Sequence, residues 1–195
     1  QDKQGKAKSK QSEDGMLLRD NIYGTIEEDA ERRDFTINAL YYSANDFKVY
    51  DFANGVKDVN DRIIRLIGDP ETRYREDPVR MLRAIRFATK LDMTISKETK
   101  APIYTLATLL GNIPAARMFE EFLKMFISGK AIANFTQLKE FNLFIYFFPA
   151  LQQLIDDNSH PYVDRFVELA MGNTDKRINN EQRVTPAFLI AAMLW

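Results

Sequence analysis

The sequence contains no cysteine and only one histidine among its 195 residues. Without cysteine it can form neither disulfides nor thiolate metal sites, and His160 precedes a proline in a polar turn, where it offers no metal ligand set and no catalytic triad. An apolar run of eighteen residues and a signal-peptide pattern are also missing. We therefore expect no membrane association and a cytoplasmic location.

A large charge of either sign is absent as well. The chain carries 27 basic and 28 acidic residues, which leave a formal net charge of −1, so any nucleic-acid site must be a local patch. Zinc spacings, a P-loop, a nucleophile elbow and internal repeats are missing too, which removes several enzyme classes. What is present is 45% hydrophobic residues, enough for a globular core in two or three small units.

Arginine is concentrated in the stretch RYREDPVRMLRAIRFATK at residues 73–90. This pattern predicts a helix with Asp77 as N-cap and Pro78 in its first turn. The face expected to be buried carries Met81, Leu82, Ala84, Ile85, Ala88 and Leu91. The opposite, basic face carries Arg80, Arg83, Arg86 and Lys90. Such faces are usually solvated or paired with acids, but so many arginines also suit phosphates and base edges.

Asp77 and Arg80 lie three residues apart and therefore share one turn of the predicted helix. A carboxylate accepts an N–H, and a guanidinium donates to a ring nitrogen. Adenine and cytosine offer this pair on their Watson–Crick edges, whereas guanine and uracil offer the reverse. The pair thus predicts selection of A and C, with each charged hydrogen bond contributing about 1.5–3 kcal/mol. Helix capping is the competing interpretation of Asp77, and both can hold for its two oxygens.

Four motifs occur in order: ERRDFTINAL at 31–40, DFANGVKDVNDRIIRLIGDP at 51–70, EDPVRMLRAIRF at 76–87 and IPAARMFEEFLK at 113–124. They resemble the bacterial poly(A) polymerase and CCA-adding tRNA nucleotidyltransferase family. Among the branches of this family, the sequence is most similar to bacterial poly(A) polymerase. The resemblance implies a template-independent enzyme that adds AMP from ATP to RNA 3′ ends with Mg²⁺. CCA addition to tRNA is the alternative within the family, and a helical RNA-binding module without chemistry is the alternative of another class.

The resemblance also implies roles for individual residues. It places Arg33 near the triphosphate or ribose and counts Asp34 among the active-site acids, while Asp77, Arg80 and Arg83 belong to the nucleotide site. The face formed by Arg117, Glu121 and Lys124 would support the nucleotide-binding helix, which agrees with its interpretation as a set of ion pairs.

Metal chemistry is expected elsewhere. Family members carry a G-G-x-x-R-D segment and an Asp-x-Asp pair before the R-R-D block, and this chain contains neither. We therefore assign no metal ligand here and expect most Mg²⁺ ligands upstream. We also expect the chain to be a fragment that cannot catalyse transfer by itself.

The expected fold is mainly α-helical with one small β-hairpin. By the resemblance, it comprises the C-terminal part of a nucleotidyltransferase head, followed by a helical neck and part of a helical body. We expect a mobile loop at residues 1–20, the head part at 21–70, the base-recognising neck at 71–127 and the RNA-binding body at 128–195.

Local patterns predict several elements within these segments. Thr25 is a good N-cap for a short helix predicted over residues 26–39, whose first turn is acidic. LYYSANDFKVYDF at 40–52 predicts the hairpin. FNLFIYFFPAL at 141–151 is interpreted as buried core rather than as stacking platforms for RNA bases. Residues 173–183 are expected to form a polar connection.

Overall fold

The computed structural model describes residues 10–11, 17–19, 24–157, 160 and 162–194. Its helices are α1 Ile26–Arg32, α2 Gly55–Asn60, α3 Pro70–Glu76, α4 Val79–Leu91, α5 Lys97–Leu106, α6 Ala115–Phe126, α7 Ala131–Glu140, α8 Pro149–Asp156, α9 Val163–Asn179 and α10 Pro186–Leu194. Its strands are β1 Lys10–Gln11, β2 Leu17–Arg19, β3 Leu40–Ser43, β4 Lys48–Asp51, β5 Ile63–Ile64 and β6 Thr94–Ile95. The predicted fold class, mainly helical with a small hairpin, is confirmed.

Only part of the predicted mobile loop at 1–20 can be compared with the structure. The described residues, 10–11 and 17–19, pair as two short antiparallel strands. The rest of that predicted loop lies outside the described residues. None of the helices in the described part of the chain combines the length and hydrophobicity that a membrane crossing requires.

The first helix begins as the sequence predicts. The Thr25 side chain accepts the backbone N–H of Glu28 at 3.3 Å, and the Glu28 carboxylate accepts the N–H of Thr25 at 2.9 Å, which completes a capping box. The predicted extent to residue 39 is wrong, because the helix ends at Arg32 and Arg33 is extended. Phe35 then forms an isolated antiparallel β-bridge with Leu66. The chain therefore leaves α1 inside the R-R-D block at 32–34, after Arg32.

The hairpin forms as expected, and its end anchors the next helix. β3 and β4 pair in antiparallel register. Asp51 accepts the N–H groups of Gly55 at 2.8 Å and Val56 at 3.0 Å, at the start of α2. Gly55 lies so close to the 3-10 helix Thr36–Asn38 that a Cβ on it would meet the Thr36 carbonyl oxygen at 2.3 Å. The hairpin, α2 and the R-R-D segment are therefore packed as one unit.

The predicted helix in the arginine-rich stretch is really two helices. Asp69 caps α3 by accepting the N–H of Thr72 at 2.8 Å, and α3 ends at Glu76, with Asp77 as its C-cap. Pro78, rather than Asp77, occupies the N-cap position of α4, so the predicted cap was wrong by one residue. Asp77 nevertheless accepts the N–H of Val79 at 3.2 Å, and it lies in the break between the helices.

α4 is the central helix of the molecule and packs against α6, α7 and the parallel strands β5 and β6. Of the six residues predicted to be buried, five are: Met81, Leu82, Ala84, Ile85 and Ala88. Leu91 is 41% exposed because α4 ends there and Asp92 turns the chain in the left-handed conformation. The buried side is confirmed except at its last position.

The C-terminal half completes the same hydrophobic core. Within the aromatic stretch, Phe141, Leu143 and Phe144 are buried as predicted, whereas Ile145 is 39% exposed. The polar connection expected at 173–183 is wrong in its first part, because residues up to Asn179 continue α9. Within this polar stretch Thr174 is buried, on the same face of α9 as Val167, Ala170 and Met171.

Candidate functional site

The functional site is built around Asp34, between α1 and the first 3-10 helix. Two backbone hydrogen bonds fix this segment, one from Thr36 to the Arg65 carbonyl and one from Ile67 to the Asp34 carbonyl, both at 3.0 Å. The Asp34 side chain faces α4, where Oδ1 accepts Arg80 Nε at 2.8 Å and Oδ2 accepts Arg83 Nη1 at 2.5 Å. The site thus joins two segments almost fifty residues apart.

Electrostatics keep Asp34 ionised. Burial raises the pKa of its carboxyl, but the hydrogen bond from Arg80 and the charge of Arg83 outweigh burial, so the pKa lies below its ordinary value. In its ionised form the carboxylate holds two guanidinium groups.

Arg80 lies on the predicted basic face of the helix, but it is buried. The residue is only 5% exposed. Besides its bond to Asp34, its Nη1 donates to the Arg73 carbonyl at 2.8 Å and to Glu76 Oε2 at 3.1 Å. Arg83 is half-buried, and only Lys90 on that predicted face is fully open. The reason is that acids from outside α4 pair with the arginines, which the helical pattern of α4 alone does not show.

Asp77 shares a turn with Arg80, as predicted, but each side chain has other partners. Asp77 Oδ2 accepts Arg117 Nη2 from α6 at 2.6 Å, while Oδ1 accepts the N–H of Val79. The Asp77 carboxylate is thus already bonded through both oxygens, and the Arg80 guanidinium through Nε and Nη1. Capping of α4 uses Oδ1 of Asp77, which leaves the predicted base recognition to Oδ2.

Glu121 on α6 forms the buried end of the charge cluster. It is 1% exposed, and its Oε1 accepts Lys124 Nζ at 2.9 Å. The Nε atoms of Arg83 and Arg86 lie 3.8 Å from its two oxygens, beyond hydrogen-bond distance. The interpretation of the α6 face as ion pairs holds for Glu121 and Lys124, whereas Arg117 pairs with Asp77, outside that face.

Arg33 has a different environment from its neighbour Asp34. Its Nε and Nη2 donate to Asp29 Oδ2 at 3.1 and 2.7 Å, and the Tyr41 hydroxyl donates to the same oxygen at 2.7 Å. The hydrogen bonds to Asp29 and Tyr41 raise the pKa of Arg33. Arg33 is half exposed, so it can meet a ligand, but its side chain does not join Asp34 in the α4 cluster.

Two sets of residues were not assigned a site role from the sequence. Arg73 and Glu76 hold the Asp34 segment and Arg80. Asp58 is buried, accepts the Thr36 hydroxyl at 2.7 Å and pairs with Arg65 at 3.2 Å. Asp58, Arg65 and Glu76 lie in the motifs and Arg73 in the arginine-rich stretch, but the carbonyl partners of Arg73 and the hydroxyl partner of Asp58 are distant in the chain.

The described residues do not fit a magnesium site. Among them, no group of three or more His, Cys, Asp or Glu side chains is arranged to hold a metal ion. Both oxygens of Asp34 accept arginine N–H groups. Neither oxygen is therefore free of other partners, as a metal ligand would need to be.

The charged side chains of the site suit an anion with several oxygens. In the described residues, six cations surround four carboxylates: Arg73, Arg80, Arg83, Arg86, Arg117 and Lys124 around Asp34, Glu76, Asp77 and Glu121. The surplus is positive, and Arg83, Arg117 and Lys124 remain partly exposed. Guanidinium forks of this kind bind phosphate oxygens in pairs.

Comparison with known families gives two matches. Residues 1–65 match the family model described as "Poly A polymerase head domain". Residues 92–155 match the one described as "Probable RNA and SrmB- binding site of polymerase A". Of the charge cluster, Asp34 lies within the first match, α4 lies between the two, and Arg117, Glu121 and Lys124 lie within the second.

Curated relatives agree with these families. The chain is 56% identical to Poly(A) polymerase I of Salmonella typhi over 187 residues, covering 96% of this chain and 40% of that protein. It is 48% identical to Poly(A) polymerase I of Haemophilus influenzae, covering 100% of this chain and 43% of that protein. Identity to the CCA-adding enzyme of Bacillus subtilis is 37%, covering 71% and 35%. The chain thus spans about two fifths of the length of the poly(A) polymerases that it matches.

A solved structure shares the fold. The Bacillus stearothermophilus CCA-adding enzyme in complex with CTP superimposes with a TM-score of 0.65 at 27% identity, covering 93% of this chain and 45% of that one.

Proposed function

Because this chain belongs to the family of bacterial poly(A) polymerases and CCA-adding tRNA nucleotidyltransferases, we propose that it carries the nucleotide-binding part of a poly(A) polymerase. That enzyme transfers AMP from ATP to RNA 3′ ends in the cytoplasm. The observation that carries the choice of branch is 56% identity to a poly(A) polymerase against 37% to a CCA-adding enzyme. Residues 21–70 would belong to the head, 71–127 to the neck and 128–195 to the RNA-binding body.

In this proposal the arginines of the α4 cluster face the ATP phosphates. Arg83 is half-buried and held by Asp34, so its guanidinium is oriented before the ligand arrives, which reduces the entropic cost of binding. Arg33, half exposed beside Asp29, would contact the triphosphate or ribose. Asp34 would act mainly by holding Arg80 and Arg83 in place.

Base selection would fall to Asp77 and Arg80. Arg80 Nε and Nη1 are already bonded to protein acceptors, so its Nη2 is the nitrogen left to donate to a ring nitrogen. Asp77 Oδ2, which here accepts Arg117, would accept the exocyclic amino group of the base. Adenine and cytosine present the same edge to this pair, which therefore does not separate the two branches of the family.

Mg²⁺ is proposed as the cofactor on the strength of the family alone. Two divalent ions commonly stabilise charge in phosphoryl transfer. Since the described residues do not fit a metal site, the ligands would be other residues, and no step is assigned to the ion here.

An incorporation assay on the natural gene product that contains this sequence tests the function. With Mg²⁺ and ATP, we expect long A tails on an unstructured RNA and poor use of CTP. Addition that stops after CCA on a tRNA lacking its 3′ end would instead establish the tRNA enzyme. RNA binding with no incorporation of either nucleotide would favour the non-catalytic module.

Asp77→Asn tests base recognition. The amide places an N–H where the carboxylate accepts one, so we expect the preference for ATP over GTP and UTP to fall about tenfold or more, as loss of a charged hydrogen bond predicts. Selectivity is measured as the ratio of kcat/KM values. Glu71→Gln is the control, because this acid on α3 is exposed and pairs with Arg75. Unchanged selectivity in Asp77→Asn would contradict the proposed role.

A further inference from the structure

Arg73 makes an unusual set of contacts for a residue outside the proposed nucleotide site. Its Nη2 donates to two consecutive backbone carbonyls, that of Arg32 at 3.0 Å and that of Arg33 at 2.8 Å. Its Nη1 donates to Glu76 Oε2 at 3.0 Å. The guanidinium therefore spans from α3 to the end of α1, about forty residues earlier in the chain.

These carbonyls matter because of their position. They lie at the C-terminal end of α1, where carbonyls lack partners in the helix and the helix dipole favours a cation. They also belong to the two residues immediately before Asp34. Holding both carbonyls fixes the peptide planes from which the Asp34 side chain projects toward α4.

Arg73 is also connected to Arg80 from the other side. The Arg73 backbone carbonyl accepts Arg80 Nη1 at 2.8 Å, and Glu76 Oε2 accepts both Arg73 Nη1 and Arg80 Nη1. One residue thus holds the backbone that carries Asp34 and helps to hold the guanidinium that Asp34 binds.

The arrangement is not what stability alone would favour. Arg73 Nε is buried and has no hydrogen-bond partner in the described part of the chain, and an unpaired buried donor is costly. Burial, followed by the nearby charge of Arg80, lowers the pKa of Arg73. The position of this cation is better explained by the two carbonyls and the carboxylate that its Nη2 and Nη1 bond.

We propose that Arg73 is a positioning residue for nucleotide transfer: its two-carbonyl clamp sets the direction of Asp34 and, through Asp34, that of Arg80 and Arg83. This inference rests on the proposed function. It adds a residue that touches neither substrate nor metal, and whose effect passes through the backbone of the R-R-D block.

The chain offers a matched control in Arg62. Its Nη2 also donates to two consecutive carbonyls at a helix end, that of Leu91 at 2.8 Å and that of Asp92 at 2.7 Å. That clamp is exposed and closes the C-terminus of α4, away from Asp34. Arg62→Met therefore removes the same chemistry without disturbing the proposed site.

The test compares Arg73→Met, Arg73→Lys and Arg62→Met in the natural gene product, at a temperature below every unfolding midpoint. For Arg73→Met we expect KM for ATP to rise about tenfold and kcat to fall, as a displaced binding group predicts. Backbone amides of residues 33–36 should also exchange hydrogen faster. Arg73→Lys should restore part of kcat/KM, because an ammonium can still reach a carbonyl. Arg62→Met should match the wild type in both kinetic constants.

Two outcomes would overturn the role, and they differ from one another. If Arg73→Met lowers only the unfolding midpoint and keeps the kinetic constants of Arg62→Met, the residue is structural and the proposed function stands. If the wild type itself incorporates no AMP, the proposed function fails and this role fails with it. Faster exchange at 33–36 in Arg73→Met would then still identify the clamp as a structural feature.

Discussion

Asp34→Ala is expected to lower AMP incorporation by about a hundredfold or more, because misplacing groups that hold a reactant costs this much. The change removes the side chain that, in the described part of the protein, bonds both Arg80 and Arg83. Arg80 would stay near Glu76 and the Arg73 carbonyl, but Arg83 would be left with Glu121 at 3.8 Å as its remaining acid. The proposed phosphate-binding forks would no longer be oriented.

The measurement is kcat and KM for ATP in the natural gene product, with Asp34→Asn as the isosteric variant and Asp92→Asn as the control. Asp92 is highly exposed and pairs with Arg62, so its loss should change neither constant. Asp34→Asn keeps the shape but loses the charge, and we expect an intermediate defect. Wild-type turnover in Asp34→Ala would exclude any part for this acid in orienting the site.

The same pairing makes stability depend on pH. The pKa of Asp34 is lowered in the folded protein, so its stabilising contribution is complete above the unfolded pKa of about 3.9. It is lost as the pH falls through the lower, folded pKa. The wild-type free energy of unfolding should therefore fall more steeply with acidification than that of Asp34→Asn. Parallel curves for the two proteins would contradict this pairing.

Glu121→Ala is expected to destabilise the fold by about 3–5 kcal/mol, the usual cost of breaking a buried ion pair by removing one partner. Glu121 is almost completely buried and faces Arg83, Arg86 and Lys124. Without it, Arg86 would lose the acid with which it pairs, and the three cations would repel one another more strongly, although Asp34 would stay beside Arg83 and Glu120 beside Lys124. Urea denaturation measures the loss as a shift of the unfolding midpoint at constant slope.

Glu120→Gln is the matched control for this prediction. Glu120 is the adjacent residue, is exposed and reaches Lys124 only at 4.0 Å, so its replacement should cost little. A double variant, Glu121→Met with Lys124→Met, should recover part of the stability, because it removes a charge from each side. Equal midpoints for Glu121→Ala and Glu120→Gln would show that the buried cluster contributes nothing to stability.

Elements governed by neighbouring residues could be predicted from the sequence. Thr25 and Glu28 form their capping box within one turn, the hairpin pairs adjacent segments, and the apolar repeat identified the buried side of α4. In each case the determining interaction joins residues at most a few turns apart, so local spacing contains the information.

Positions that depend on distant partners could not be predicted this way. The helical pattern placed Arg80 on the basic face, but did not show that Asp34, 46 residues earlier, covers it. Thr174 lies in a polar stretch, yet the packing of α9 on α7 buries it. The roles assigned to Arg33, Asp34, Asp77, Arg80 and Arg83 from the motifs stay predictions until the variants are measured.

By itself, the sequence determined the family, the mainly helical fold and which segments carry the candidate residues, since motifs and periodicity are properties of the chain. Only the tertiary structure decided which charges meet. It paired Asp34 with two arginines of α4, placed Glu121 among three cations and set Arg73 against the carbonyls before Asp34. The physical reason is that charged side chains reach only a few ångströms, so their partners are fixed by packing and not by their order in the chain.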